Sequence, residues 1–132
     1  MIQSLIGISE LVVIEAHERG YAGDISAMYA YSPDKKVIFG FQVVDAKETP
    51  GLGSRIGTDE AFGANFKALD ATQPARHPIT TVKHGKKANA WEIDAISGAT
   101  ISSRAVGRML QKSVTDMTPI IEKNLDRIRK GV

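Results

Sequence analysis

Alternation of apolar and polar positions in the first half of the chain predicts an antiparallel β-sheet. Residues 25–31 and 37–44 alternate in this way, and residues 32–35 between them, Ser-Pro-Asp-Lys, have the composition of a tight turn. The two segments are therefore predicted to form a hairpin, and the apolar run at residues 11–14 is predicted to be another strand. Because side chains alternate between the two faces of a strand, one set in the second arm should face the core together: Val37, Phe39, Phe41 and Val43.

The middle of the chain is predicted to consist of loops interrupted by short elements. Residues 45–58 contain three glycines and residues 70–78 contain two prolines, so both segments have loop composition. A short helix is predicted between them, at residues 60–66. Two further strands are predicted at residues 79–82 and 89–93, around a Lys-Gly-Lys turn.

From Ile101 onward the apolar positions recur with the period of a helix. One face of this helix is predicted to carry Val106, Met109, Leu110, Ser113, Val114 and Met117. Proline suits the first turn of a helix, so Thr118 and Pro119 are predicted to start a second helix. Its apolar stripe is Ile121, Leu125 and Ile128. The predicted fold class is therefore α+β: an antiparallel sheet with helices packed on one side, two of them C-terminal.

Composition and charge exclude several functions. The 132 residues fit a single domain, residues 1–132, and 17 basic against 15 acidic residues give a net charge of +2, too balanced to indicate nucleic acid as a partner. The absence of cysteine excludes disulfides, iron–sulfur clusters and thiol chemistry. The histidines, His17, His77 and His84, lack metal-ligand spacing, so no metal site is predicted.

The chain has no obvious membrane or export segment. No stretch reaches the roughly 18 apolar residues of a membrane span, and residues 1–14 lack the basic start and cleavage site of a signal peptide. The expectation from these residues is a cytosolic protein or a soluble part of a longer one.

A hydroxyl-rich segment between a predicted strand and a predicted helix is the strongest candidate for chemistry. It spans residues 94–103, Asp-Ala-Ile-Ser-Gly-Ala-Thr-Ile-Ser-Ser, and its small residues Gly98 and Ala99 allow close approach to the backbone. Helix N-termini carry unpaired N–H groups and the positive end of the dipole, so they favour phosphate. The residues alone leave two interpretations open: a seat for a phosphate group, or ordinary helix-capping serines and threonines.

Two motifs in this chain resemble those of the FMN-binding domains. Residues 94–100 resemble the flavinylation motif of that family, Asp-x-x-(Ser/Thr)-Gly-Ala-Thr, and residues 47–53 resemble its Glu-Thr-Pro-Gly-Leu-Gly loop. The segment Gly-Tyr-x-Gly at residues 20–23 is also similar in order and spacing, so the resemblance spans about residues 20–106. Such domains occur in the G subunit of the Rnf electron-transport complex and in the C subunit of the sodium-translocating NADH:quinone reductase. The length of this chain favours the Rnf-type subunit.

The resemblance implies a covalent cofactor and a set of residues that hold it. FMN would be joined by a phosphoester to the hydroxyl of Thr100, a bond that a dedicated flavin transferase makes from FAD. The loop at residues 48–53 would line the isoalloxazine ring, although a simple tight turn is the alternative interpretation. No catalytic residue is predicted, and the implied cofactor-binding residues are Thr100, Ser97, Gly98, Ala99, Ser102, Glu48, Thr49, Leu52 and Gly53.

Three further positions lie outside this set. Asp94 would repel a nearby phosphodiester, so it either caps backbone groups or is recognised by the modifying enzyme. Trp91 is predicted to be a core residue, with stacking on the flavin as the alternative. Ala46 stands where many members of the family have histidine, so no role is assigned to it.

The resemblance implies an electron-transfer role. The domain would relay electrons through one flavin in a membrane-bound, ion-translocating oxidoreductase, with the other subunits and a flavin transferase as partners. Family members lie on the extracytoplasmic face of the membrane and usually have an N-terminal membrane helix. Its absence here indicates a shortened chain or an unanchored relative. The alternatives are an FMN-binding sensor or regulatory domain without a role in an ion pump, and an interaction domain without a cofactor.

Overall fold

An antiparallel sheet of five strands is the larger layer of the computed structural model, which describes residues 2–5 and 8–129. Each strand pairs with the strand that precedes or follows it in the chain. The predicted hairpin is confirmed as the pairing of the third strand with the fourth. The strands are β1 (Ile2–Leu5), β2 (Ile8–Arg19), β3 (Asp24–Ser32), β4 (Val37–Ala46) and β5 (Leu69–Asp70).

A bulge in β4 changes which of its side chains face the core. Ala30 of β3 pairs with Gly40, but the next residue, Tyr31, pairs with Ile38. Phe39 is therefore an extra residue between two ladder pairs. Since side chains alternate along a strand, one extra residue moves the side chains on one side of it to the opposite face.

The predicted core face of β4 is therefore only half right. Ile38 is fully buried although the sequence pattern assigned it to the outer face. The prediction that Val37 and Phe39 face the core is wrong, because Phe39 is the extra residue and Val37 lies beyond it in the shifted register. The partly buried residues of β4 that pack against the core are Phe41, Val43 and Ala46.

A second, smaller sheet has two strands, which follow β5 in the chain and precede the C-terminal helices. Strands β6 (Thr80–Val82) and β7 (Glu92–Asp94) confirm the two predicted strands, and they pair in parallel rather than as a hairpin. Before them come a short 3-10 helix (Gly53–Gly57) and α1 (Glu60–Ala64), which occupy part of the predicted loop and the predicted short helix. Asp59 caps α1 by accepting a 2.8 Å hydrogen bond from the Phe62 N–H, and this bond lowers the pKa of its carboxyl.

The long helix α2 (Thr100–Lys123) continues through Pro119 instead of restarting there. The predicted helix start at residues 118–119 is therefore wrong, because proline interrupts one backbone hydrogen bond without ending the helix. The break comes at Asn124, whose backbone and side-chain nitrogens both donate to the Ile120 carbonyl. The short helix α3 (Leu125–Arg129) follows, so two C-terminal helices are present.

Helix α2 packs against β2 and β6 through the apolar face that the sequence predicted. The predicted apolar positions Val106, Met109, Leu110 and Val114 are each at most 2% exposed. Ser113 on the same face lies 2.6 Å from the Tyr29 hydroxyl of β3, which places a satisfied polar pair between helix and sheet. The α+β class, with helices on one side of an antiparallel sheet, is confirmed.

Candidate functional site

Backbone contacts fix the position at which α2 begins. Asn65, which is buried, holds the last residue of β7 on both sides: it accepts from the Asp94 N–H at 3.0 Å and donates to the Asp94 carbonyl at 3.1 Å. A turn follows, in which Gly98 has a φ of 84°, a conformation that favours glycine. The helix then starts at Thr100, with Ala99 as its N-cap.

The four hydroxyls at the start of α2 have different surroundings. Ser103 is fully buried and structural, because its hydroxyl accepts from the Ile96 N–H at 3.0 Å and donates to the Ala99 carbonyl at 2.8 Å. Thr100 is not the helix cap, since that position belongs to Ala99, whose side chain has no acceptor. Thr100 is half-buried and Ser102 is buried, and both line one groove, whereas Ser97 does not.

This groove brings the two sequence motifs together. Its volume is about 440 Å³, which lies within the roughly 300–1,000 Å³ of ordinary ligand pockets. The start of α2 forms one part of its wall, and the loop after β4 forms another. Eight of the nine residues that the family resemblance implied are among the lining residues: Glu48, Thr49, Leu52, Gly53, Gly98, Ala99, Thr100 and Ser102.

Glu48 is the buried charged group of the groove. It is 7% exposed, and its Oε2 accepts a 2.8 Å hydrogen bond from the Ala22 N–H. Its other oxygen, Oε1, is buried without a hydrogen-bond partner, the one such side-chain atom in the described part of the chain. A buried acceptor without a donor is costly, and this oxygen lies directly against Gly20 in the turn between β2 and β3.

Gly53 permits the loop and the helix to approach each other closely. A Cβ on this residue would lie 2.6 Å from the Ser102 hydroxyl oxygen and 2.9 Å from the Glu48 Cβ. Any other residue would therefore push apart two lining segments of the groove. The geometry at this point explains a glycine at residue 53 by packing, independently of any ligand contact.

Ser97 faces a different, smaller cleft of about 150 Å³. Its carbonyl accepts from Arg55 at 3.2 Å, and the cleft is shared with Asp94 and His84. Asp94 accepts a 2.8 Å hydrogen bond from the Gly85 N–H, in agreement with the backbone-capping role considered above. The structure therefore separates Ser97 from the other residues of the predicted set.

Two lining residues were not in the predicted set. Tyr21 comes from the turn between β2 and β3, and Ile101 follows Thr100 in α2. The Gly-Tyr-x-Gly segment was the available sequence signal for Tyr21, whereas Ile101 carried none. Trp91, predicted to be core, is half-buried and stacks on His77 with ring centroids 4.1 Å apart, and it does not line the groove.

Neither a metal cluster nor a membrane-spanning helix is found among the described residues. No cluster of three or more His, Cys, Asp or Glu side chains suited to a metal ion occurs within residues 2–5 and 8–129. None of the helices in that part of the chain combines the length and apolar character that a membrane span requires.

Comparison with known proteins identifies the family. The sequence pattern of the FMN-binding domain matches residues 20–115, which include every residue that lines the groove. The chain belongs to the FMN-binding domain family. This membership confirms the resemblance drawn from the two motifs, and it agrees with a groove in which those motifs meet.

Named relatives belong to ion-translocating complexes. The chain is 39% identical over 106 residues to the G subunit of the proton-translocating ferredoxin:NAD(+) oxidoreductase complex of Clostridium ljungdahlii, covering 80% of this chain and 52% of that protein. It is 40% identical over 102 residues to the G subunit of an ion-translocating oxidoreductase complex of Methanosarcina acetivorans, covering 77% and 48%. The chain thus spans about half the length of these relatives.

Solved structures show the same fold. The C subunit of the Na(+)-translocating NADH-quinone reductase from Parabacteroides distasonis superposes with a TM-score of 0.71 at 27% identity, covering 88% of this chain and 58% of that one. NqrC from Shewanella oneidensis gives a TM-score of 0.68 at 29% identity, covering 79% and 48%.

Proposed function

We propose that this domain carries FMN covalently, through a phosphoester on Thr100, and relays electrons within a membrane-bound ion-translocating oxidoreductase. The observation that carries this proposal is the convergence of two distant motifs, at residues 48–53 and 98–102, on one groove. Residues so far apart in the chain need not meet for the sake of helix capping or of a tight turn. A ligand that both segments contact would account for their meeting.

The position of Thr100 suits an attached phosphate. It is the first residue of α2, where the first N–H groups of a helix have no intrahelical partner and the dipole is positive. A phosphodiester at this residue carries one negative charge, which the helix end stabilises by roughly 0.3–1 kcal/mol. The neighbouring Gly98 has open space around it, since no atom lies within 4 Å of the place that a Cβ would occupy.

The remainder of the groove suits a flavin ring. Leu52 supplies an apolar surface that is 51% exposed, and Thr49 lies beside it in the same lining. Glu48 lines the groove as well, with its Oε2 held by the Ala22 N–H. The residues present therefore fit FMN: Thr100 would hold its phosphate, and the loop at residues 48–53 would surround its ring.

When bound, FMN supplies the redox chemistry, while the protein supplies attachment, position and local charge. Attachment requires a flavin transferase, with FAD as donor. The Thr100 hydroxyl oxygen would form a bond to the phosphorus of the FMN half while the pyrophosphate P–O bond breaks, and AMP would leave with the bridging oxygen as the hydroxyl proton passes to solvent. Subunits of the kind named for the relatives would be the electron-transfer partners. By the family resemblance, the domain would lie on the extracytoplasmic face of the membrane.

The alternative is an FMN-binding sensor that passes no electrons to a pump. The two are separated by anaerobic mixing of the flavinylated domain with the remaining, reduced subunits of its complex. Bleaching of the flavin absorbance on the time scale of turnover supports the relay, whereas a flavin that stays oxidised contradicts it. Flavin fluorescence that remains on the protein band after denaturing electrophoresis, and only when a transferase was co-expressed, tests the covalent bond.

A further inference from the structure

We propose that Tyr21 contacts the flavin ring in the groove and that Glu48 is the positioning residue that holds it there. This inference rests on the proposed function, because it concerns the same groove. It adds a ring contact that comes from neither sequence motif, and a structural reason for the carboxylate of residue 48.

The turn that carries Tyr21 is built directly on the loop after β4. Gly20 donates a 2.7 Å backbone hydrogen bond to the Gly23 carbonyl and closes the turn, and the Ala22 N–H donates to Oε2 of Glu48 at 2.8 Å. The side chain of Glu48 is therefore the link between this turn and the loop that lines the groove.

Both glycines of the turn are explained by this contact. A Cβ on Gly20 would overlap Oε1 of Glu48, and a Cβ on Gly23 would lie 2.9 Å from the Cβ of Lys47 and 3.1 Å from its carbonyl oxygen. The turn thus rests against residues 47 and 48 at two points, and a side chain at either glycine would lift it. Tyr21, between them, has a fixed backbone position at the edge of the groove.

The fold gives no packing reason for a tyrosine at residue 21. Its side chain is 65% exposed, whereas the other two tyrosines, Tyr29 and Tyr31, are 2% exposed and belong to the core. Five large hydrophobic side chains are exposed in the part of the chain for which burial is described, and three of them line this groove: Tyr21, Leu52 and Ile101. Exposed apolar groups gathered at one concave site indicate a ligand that covers them.

An aromatic ring on a fixed turn is suited to contact an isoalloxazine ring. Stacked or edge-on aromatic pairs are worth about 0.5–1.5 kcal/mol beyond the area they bury, and they need the side chain to be held in place. The bond from Ala22 to Glu48 supplies this restraint. Because Glu48 acts on the ring through the turn, its role is a positioning one.

The test is the fluorescence lifetime of the flavinylated domain. A phenol in contact with an excited flavin donates an electron to it and takes the same electron back, so the lifetime shortens without net chemistry. Tyr21→Phe should lengthen the lifetime several-fold while leaving quenching by iodide unchanged, because phenylalanine covers the ring but is a poor electron donor. Tyr21→Ala should lengthen the lifetime and also increase iodide quenching, because the ring becomes exposed.

Trp91→Phe is the matched control. It removes another electron-rich aromatic, which stacks on His77 and does not line the groove, so the lifetime should stay at the wild-type value. Glu48→Gln keeps an oxygen that can accept from Ala22 and should stay near the wild type. Glu48→Ala removes that acceptor and should lengthen the lifetime with Tyr21 still present.

Each result decides a separate point. Intact mass is measured first, and a protein without the FMN adduct despite an active transferase refutes the proposed function and this inference with it. An adduct whose lifetime is the same in the wild type and in Tyr21→Phe refutes the inference alone. A Glu48→Ala variant with wild-type lifetime refutes the positioning role of Glu48. If Glu48→Ala does not fold, the Tyr21 variants still decide the ring contact.

Discussion

Replacing Gly20 with alanine should destabilise the domain, because the space next to this residue is filled by the Glu48 carboxylate. The new Cβ would overlap Oε1 of Glu48 and lie 2.7 Å from the Ile25 Cδ1 atom. Overpacking of this kind costs about 1–3 kcal/mol. Displacing the carboxylate also weakens its bond from the Ala22 N–H, and a hydrogen bond to a charged group contributes about 1.5–3 kcal/mol. We expect the free energy of unfolding to fall by about 2–4 kcal/mol.

The assay is urea unfolding followed by circular dichroism, on protein made without a flavin transferase so that the cofactor does not contribute. Gly63→Ala is the matched control, because a Cβ on Gly63 of α1 meets no atom within 4 Å. That variant should gain about 0.4–1 kcal/mol, since alanine lowers the entropy of the unfolded chain. A loss below about 0.5 kcal/mol for Gly20→Ala would refute the contact between the turn and Glu48, and with it the structural basis for the position of Tyr21.

Three further predictions test other parts of the structure. Leu52→Glu should lower the midpoint potential of the attached flavin without removing the flavin, because a negative charge beside the ring opposes reduction. Val44→Glu, at an exposed position that does not line the groove, should leave the midpoint potential unchanged. Equal potentials in the two variants would place the ring elsewhere. Ile38→Ala should lower the free energy of unfolding in urea by about 2–5 kcal/mol, because the bulge at Phe39 turns this side chain into the core, where it is fully buried. A loss below about 0.5 kcal/mol would refute that register. Burial raises the pKa of Tyr29 from 10.0 to about 12, so the contribution of this hydroxyl to the free energy of unfolding should be constant below about pH 10 and should be lost as the pH rises toward about 12. Tyr29→Phe should reduce the slope in this range, and an unchanged slope would contradict the assignment.

The sequence predicted those features that depend on local spacing. The hairpin follows from alternation and turn composition over about twenty residues, and the buried face of α2 follows from a period that its own residues define. The position of Thr100 at the helix start was predictable for the same reason, because the motif lies where one period replaces another. Membership of the family was predictable because two motifs appeared in the right order.

The features that the sequence did not predict depend on contacts between distant segments. The bulge at Phe39 leaves no mark in the alternation of β4, and it is recognised only from the pairing with β3. Ser97 was grouped with Thr100 because they are close in the chain, but the left-handed backbone of Gly98 lies between them, and the two residues line different clefts. Asn65, which fixes the backbone of Asp94, lies 29 residues away from it and belongs to no motif.

The identity of the flavin-bearing residue is the most direct test of the central claim. The domain is co-expressed with a flavin transferase, its intact mass is measured, and the flavin-containing peptide is sequenced. The wild type should gain the mass of FMN less one water, on Thr100. Thr100→Val, which keeps the shape of the side chain and removes the hydroxyl, should show no adduct while it still folds. Ser97→Ala should keep the adduct, since Ser97 lies outside the groove, and Ser102→Ala should keep it as well, because it does not supply the ester oxygen. Flavin found on Ser97, Ser102 or Ser103, or an adduct that persists in Thr100→Val, would contradict the account.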